Sequence, residues 1–257
     1  MIKAIFFDVD GTLVSHTKGG IPESTIYALN KLREKGIKLF VATGRHKTEI
    51  KNLPVNIFDF DGYVTINGQY CYDAKGNVIH TCSINNEDIK NVIDIFRDKK
   101  VPMTFVEENK IYINFSNDNV ERIQKSISSP VPQMGEYTEN TPIYQIMVYD
   151  TEENTNYVAS KMNNCITKSW NEDAIDIIPA NGGKDIGIKN VIDYYGILQE
   201  EIMAFGDGEN DATMLKFAHI GVAMGNGKEI TKSQADYVTS HIDEDGILKA
   251  LEHFNII

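Results

Sequence analysis

The sequence predicts an α/β protein whose core carries a parallel sheet and is interrupted by an inserted α+β domain. Short apolar runs at 2–10, 37–42, 201–206 and 219–223 alternate with helix-like segments, which is the pattern of βα units around a parallel sheet. Between about residues 84 and 181 the pattern changes to extended segments joined by hairpin-length turns and grouped with helices, which suits an antiparallel sheet. From Lys184 the βα alternation resumes. The core is therefore expected at 1–83 and 182–257 and the insert at 84–181, with crossings near 83 and 182 that form two hinge strands.

Each element has its local reason. Ile2, Ala4, Ile5, Phe6 and Phe7 make the first strand, and Gly11-Thr12 ends it. A helix is expected over 22–35, with Pro22 at its first turn and Gly36 past its end. A strand at 37–42 follows, then a short helix at 46–52 and a strand-like segment at 57–66. Residues 69–73 and 77–82 read as a hairpin around Ala74-Lys75-Gly76. Within the insert the expectation is helix 86–99, extended segments 103–106 and 110–115, helix 118–127, a loop at 128–132, strand 143–149, helix 152–163 and strands 165–170 and 174–178. The remainder reads as helix 184–195, strand 201–206, helix 210–217, strand 219–223, helix 226–233, strand 236–239 and helix 243–253.

Composition narrows the function classes. The chain has 257 residues, 42% hydrophobic and 24% charged, as in an ordinary soluble protein. It has no long apolar stretch and no signal-peptide pattern. A net charge of −12 with four arginines repels phosphate backbones and disfavours nucleic acid as a partner. Three cysteines without a close pair argue against a disulfide framework or a zinc site, and fit reduced thiols in a cytoplasmic protein.

The chemistry gathers at strand ends. Asp8 and Asp10 arrive together at the end of the first strand, where open α/β sheets bind ligands. Two anions so close repel, and a divalent cation relieves them; hard oxygen donors favour Mg²⁺. As a plain alternative, both are turn residues. At the second strand end, Thr43-Gly44-Arg45 offers a hydroxyl and backbone N–H groups to phosphate oxygens, or else Thr43 caps the helix that follows. Arg45 is a further candidate for a phosphate or substrate contact. Lys184 follows Gly182-Gly183 and opens a helix, where its ammonium could hold a carboxylate and a phosphoryl group. Gly206-Asp207-Gly208-Glu209-Asn210-Asp211 places three acids and an amide after another core strand. Asp207 is the expected direct ligand, Asn210 a hydrogen-bond partner of the nucleophile or the phosphate, and Asp211 a group that acts through water or orients others.

In order and position, Asp-Val-Asp-Gly-Thr, Ala-Thr-Gly-Arg, Gly-Gly-Lys and Gly-Asp-Gly-Glu-Asn-Asp resemble the motif set of the haloacid-dehalogenase (HAD) phosphatases, and Thr65-Ile66-Asn67-Gly68 resembles the Cof-like subfamily. The resemblance covers the whole chain. It implies a Rossmann-like three-layer core and makes the insert a type IIB cap that closes over the site, excludes bulk water and contacts the leaving group. It also implies that Asp8 attacks phosphorus to form an aspartyl-phosphate, while Asp10 protonates the leaving oxygen and then activates water. Mg²⁺ is held by the Asp8 side chain, the Asp10 carbonyl and Asp207, and Thr43, Lys184 and Asn210 hold the phosphoryl oxygens. One departure is Asp185, which stands where the family usually has Gly after the motif lysine. The implied substrate is a small phosphorylated metabolite, a sugar phosphate or a phosphorylated cofactor, with no nucleic acid or membrane partner. A phosphomutase on the same scaffold and a non-enzymatic phospho-accepting signalling module are the alternatives. Arg97, Arg122 and Trp170 in the cap read as solvated or packing residues.

Overall fold

The computed structural model describes residues 1–127 and 129–257, except for the side chain of Trp170. Ser128, expected in a loop, and the Trp170 side chain lie outside the described residues. In chain order, β1 (Ala4–Phe7) leads to α1 (Glu23–Glu34), β2 (Lys38–Ala42), α2 (Lys47–Ile50), β3 (Gly62–Thr65), β4 (Tyr70–Asp73) and β5 (Val78–Thr81). Next come α3 (Asn86–Arg97), β6 (Met103–Val106), β7 (Ile111–Ile113), α4 (Asp118–Ser126), β8 (Gln133–Met134), β9 (Gln145–Val148), α5 (Glu152–Ala159), β10 (Cys165–Asn171) and β11 (Ala174–Pro179). The chain ends with α6 (Lys184–Tyr195), β12 (Ile202–Gly206), α7 (Ala212–Phe217), β13 (Ile220–Ala223), α8 (Glu229–Lys232), β14 (Tyr237–Val238) and α9 (Gly246–His253). Two compact units result, residues 1–81 with 183–257, and residues 82–182.

The first unit holds an eight-stranded sheet in the order β14-β13-β12-β1-β2-β3-β4-β5. It is parallel from β14 to β3, and β4 and β5 add an antiparallel edge. The chain winds outward from β1 to β2 and β3 on one side and to β12 and β13 on the other. The switch in winding direction therefore falls at β1, where open α/β sheets place their ligands. Phe7 lies in register with Val41 and with Phe205, so the chain leaves all three strands at one level.

Alternation along the strands buries both faces, the period-2 geometry of a central strand. Ile5, Phe7, Leu39, Val41, Met203 and Phe205 pack with Ala28, Leu29 and Leu32 of α1 and with Ile247, Ala250 and Leu251 of α9. Ala4, Phe6, Phe40, Ala42 and Ala204 pack on the other face with Ile188, Val191 and Ile192 of α6 and with Met214 and Leu215 of α7. Phe6 stacks on Phe40 and Phe7 on Phe205, with ring centroids 4.7 and 5.2 Å apart. This is a three-layer α/β core.

In the second unit the sheet runs β10-β11-β9-β6-β7-β8, antiparallel except at β7–β8. Apolar residues of α3 (Ile89, Val92, Ile93, Phe96) and Val158 of α5 pack on Met103, Phe105, Ile146, Val148 and Ile177. Asp88 is fully buried, and its carboxylate accepts N–H bonds from Asn163 and Asn164 at 2.9 and 3.0 Å, tying the start of α3 to the turn before β10. Arg97 and Arg122 are half-exposed and pair with Glu139 and Asp173, in keeping with a solvated role.

Several expected elements differ. The segment 57–66 is a strand only over β3, because Pro54 starts a 3-10 turn through Ile57. The helix expected at 226–233 shrinks to α8, since Gly227 and Lys228 donate their N–H groups to the Met224 and Asp207 carbonyls instead. The cap of α2 is His46 rather than Thr43: its ring accepts from Thr48 N–H while Glu49 accepts from His46 N–H. The two-residue strand β8 has no counterpart among the sequence expectations.

Candidate active site

Three strand ends build the site. Asp8 follows β1, Thr43 follows β2 and Asp207 follows β12. Lys184, the first residue of α6, is 1% exposed. Its Nζ donates to Asp8 Oδ1 at 2.7 Å, to the Ala42 carbonyl at 2.9 Å and to Asp211 Oδ1 at 2.5 Å, so its three donors are used. α6 comes this close because Gly187 has no side chain: a Cβ there would press on Val64, Gly68 and Cys71.

Asp8, Asp207 and Asp211 each place a carboxylate oxygen within 4.8 Å of the others. Asp211, however, is already engaged at both oxygens. Its Oδ1 takes Lys184, and its Oδ2 accepts from the N–H groups of Asp207 and Gly208 at 2.9 and 2.8 Å. It thus shapes the Asp207 loop and holds the lysine. Burial first, then the Asp211 charge, pushes the Asp8 carboxyl well above its usual range, despite Lys184. Burial and Asp211 likewise raise Asp207 to about 7. For Lys184, burial pulls downward, but Asp211 and Asp8 outweigh it and hold the ammonium charged.

Of the other residues singled out in the sequence, Thr43 is buried and its Oγ1 accepts the Arg45 N–H at 3.1 Å. Asn210 donates from Nδ2 to Asn67 Oδ1 at 2.9 Å. The Asp10 carboxylate stands apart from the three acids: Arg45 grips it with Nε to Oδ2 at 2.6 Å and Nη2 to Oδ1 at 2.8 Å. The Asp10 side chain is thus not part of the group formed by Asp8, Asp207 and Asp211. The physical reason is that the guanidinium fork matches the Asp10 carboxylate and draws it away. Asp185, the departure from the family pattern, is half-buried in the first turn of α6, where the helix dipole favours an acid.

The sequence alone pointed to no site contact for Thr12, Asn67 or Asn226. Thr12 Oγ1 donates to Asp207 Oδ1 at 2.8 Å. Asn226, lying between two glycines after β13, donates to the Gly11 carbonyl at 2.8 Å and accepts from Ile242 N–H at 3.0 Å. Asn67 is buried at φ 54°, next to Ile66 at φ 52°, a conformation that a β-branched residue adopts only at a cost of about 1–3 kcal/mol. The signal available in the sequence was the Asn-Gly pair at 67–68, a turn mark between two apolar runs.

The largely parallel sheet thus carries a buried lysine–carboxylate group at its switch point, where α/β folds bind ligands. The family model of haloacid dehalogenase-like hydrolases matches residues 5–251. Bacillus subtilis YkrA is 30% identical over 99% of this chain and 98% of its own length. Two solved structures are also similar. BT1666 of Bacteroides thetaiotaomicron, a phosphatase of the same superfamily, is 34% identical with TM-score 0.91, covering 100% of this chain and 96% of that one. The HAD subclass IIB sugar phosphatase BT4131 is 40% identical with TM-score 0.86, covering 99% and 100%. The chain belongs to the haloacid dehalogenase-like hydrolases and is a phosphoric monoester hydrolase of that superfamily.

No helix among the described residues is long and apolar enough to cross a membrane.

Proposed function

We infer that the chain is a Mg²⁺-dependent phosphatase of a small phosphorylated metabolite and that it works through an aspartyl-phosphate on Asp8. The observation that carries this reading is the Asp8 carboxylate held by a buried lysine beside Asp207, with Asp10 two residues further on. Sugar phosphates and phosphorylated cofactors are the substrate classes. Two relatives support that choice: BT4131, described as a sugar phosphatase, and Bacillus subtilis YitU, a 5-amino-6-(5-phospho-D-ribitylamino)uracil phosphatase 27% identical over 97% of this chain. On this reading residues 84–181 are a cap of type IIB, between core segments 1–83 and 182–257. Three free cysteines suit a cytoplasmic enzyme.

The donor set fits a hard divalent cation, because it offers oxygen donors only, and mutual repulsion and burial already disfavour the charged acids. Asp8 and Asp207 would hold it through their side chains and Asp10 through its carbonyl. When bound, the cation supplies neutralisation of phosphate charge.

This chain's own residues do the rest. Lys184 holds Asp8 in place and opposes the upward push that burial gives its carboxyl. An Asp8 oxygen attacks phosphorus, and the bond from phosphorus to the leaving oxygen breaks with its electron pair staying on that oxygen. The Asp10 carboxyl gives its proton to the same oxygen, and the alcohol leaves. Water then attacks the aspartyl-phosphate and passes a proton to the Asp10 carboxylate, and the bond from phosphorus to the Asp8 oxygen breaks to return the carboxylate and free phosphate. Thr43 and Asn210 orient the phosphoryl oxygens through their remaining donors, and Lys184, whose donors are taken by the protein, contributes its charge.

A panel of phosphorylated metabolites with Mg²⁺ or EDTA tests the reading, with release of inorganic phosphate only in Mg²⁺ as the expected result. Phosphate transfer to a second sugar hydroxyl without release would contradict it in favour of a mutase. The Asp10→Asn variant should lose on the order of 10²-fold or more in kcat on an alkyl phosphate, the usual worth of a general acid. The first step with p-nitrophenyl phosphate, whose leaving group needs no proton, should be far less affected in single-turnover measurements. Equal losses would count against a proton donor at this position.

A further inference from the structure

We propose that Arg45 is the positioning residue of Asp10, fixing its carboxylate in one orientation outside the Asp8–Asp207–Asp211 group. This inference rests on the phosphatase reading above, and gives Arg45 a task different from touching phosphate.

Arg45 is itself rigidly placed. Its N–H donates to Thr43 Oγ1 at 3.1 Å, and its carbonyl accepts the Ile66 N–H at 3.1 Å. The next residue, His46, starts the capped turn of α2. The guanidinium therefore projects from a backbone fixed on both sides. Its fork takes both oxygens of Asp10, at 2.6 and 2.8 Å, and the side chains are 16% and 29% exposed. Nε and one terminal nitrogen are both engaged, a side-on bidentate geometry that lysine cannot reproduce. Burial works against the Arg45 charge, but the Asp10 hydrogen bonds and charge outweigh it.

Two consequences follow from the geometry. Without the fork, the Asp10 side chain is free to rotate about its χ1 bond and no longer has one direction of proton delivery. With it, a fourth carboxylate is kept from crowding the three that already repel each other. The pair thus separates two carboxylates only two residues apart, one for attack and one for proton transfer.

The test compares Arg45→Lys and Arg45→Ala with wild type, using p-nitrophenyl phosphate and an alkyl phosphate such as glycerol phosphate. Single-turnover and steady-state kinetics are both read, with thermal melts to confirm folding. For Arg45→Ala the single-turnover rate on the alkyl phosphate should fall on the order of tenfold or more relative to that on p-nitrophenyl phosphate, part of the effect of a general acid. KM should stay within about threefold, since orientation acts on the reaction step and not on binding. Arg45→Lys should resemble Arg45→Ala, and added guanidinium ion should restore part of the alkyl phosphate rate in the alanine variant. In an Asp10→Asn background, Arg45→Ala should add less than about twofold, because the two side chains act as one unit. A large KM rise with equal rate losses on both esters would make Arg45 a phosphate contact and overturn the proposal. Additive losses with Asp10→Asn would overturn it as well. Either result leaves the phosphatase reading standing, since wild type would still release phosphate. Absence of wild-type turnover of every ester would instead remove that reading and the proposal with it.

Discussion

Asp8→Asn is expected to lose phosphate release by on the order of 10⁴-fold or more, the scale seen when a nucleophile that acts with its partners is removed. The fold should survive. Asparagine keeps the shape of the side chain, and Lys184 retains the Ala42 carbonyl and Asp211 as acceptors. Melting temperature should be unchanged or higher in the absence of metal, because burial and the neighbouring acids already disfavour the Asp8 charge. Circular dichroism melts and a phosphate-release assay on one preparation check both halves. Substantial turnover by a folded Asp8→Asn protein would remove Asp8 as the nucleophile.

Lys184→Met is expected to damage both stability and activity. Methionine fills similar volume but leaves Asp8 and Asp211 buried without their shared cation. Removing one partner of a buried ion pair costs about 3–5 kcal/mol. At roughly 2–4 °C per kcal/mol for a domain of this size, the apparent melting point should drop by on the order of 10 °C. Single-turnover rates should fall as well, since Asp211 would no longer be tethered through the lysine to Asp8. A variant as stable as wild type would mean that the two carboxylates find other partners.

Strand and helix types in the first unit were legible because a doubly buried strand and an amphipathic helix announce themselves locally: β1, α6 and β12 fall where the apolar periods put them. The same logic overran at 57–66, where Phe58 and Phe60 read as strand although Asp61 ties the chain to Leu39 before β3 begins. Strand ends with acids were equally legible, and they brought Asp8, Lys184, Asp207 and Asp211 together. What local pattern does not contain is which side chain faces which across the site. Nothing near Asp10 in sequence says that Arg45, 35 positions away, will take both its oxygens. Nor does it say that Asn67 turns through a strained conformation to meet Asn210. Thr12 and Asn226 escaped for the same reason: their partners, Asp207 and Gly11, lie 195 and 215 residues away.

If Asp8 and Asp207 face one cation that relieves their repulsion, thermal melts with Mg²⁺ or EDTA across pH will register it. Without metal, burial and the Asp211 charge push the Asp207 carboxyl of the folded protein up to about 7, from an ordinary value of 3.8. A carboxyl raised in this way favours folding below the unfolded value, and that contribution is lost as pH rises through about 7. Binding of Mg²⁺ favours the ionised form, so the expected result is a Mg²⁺-induced rise in melting temperature that grows from about pH 5 to 8 and disappears in Asp207→Asn. A melting point indifferent to Mg²⁺ at every pH, or a rise equally large in Asp207→Asn, would contradict it.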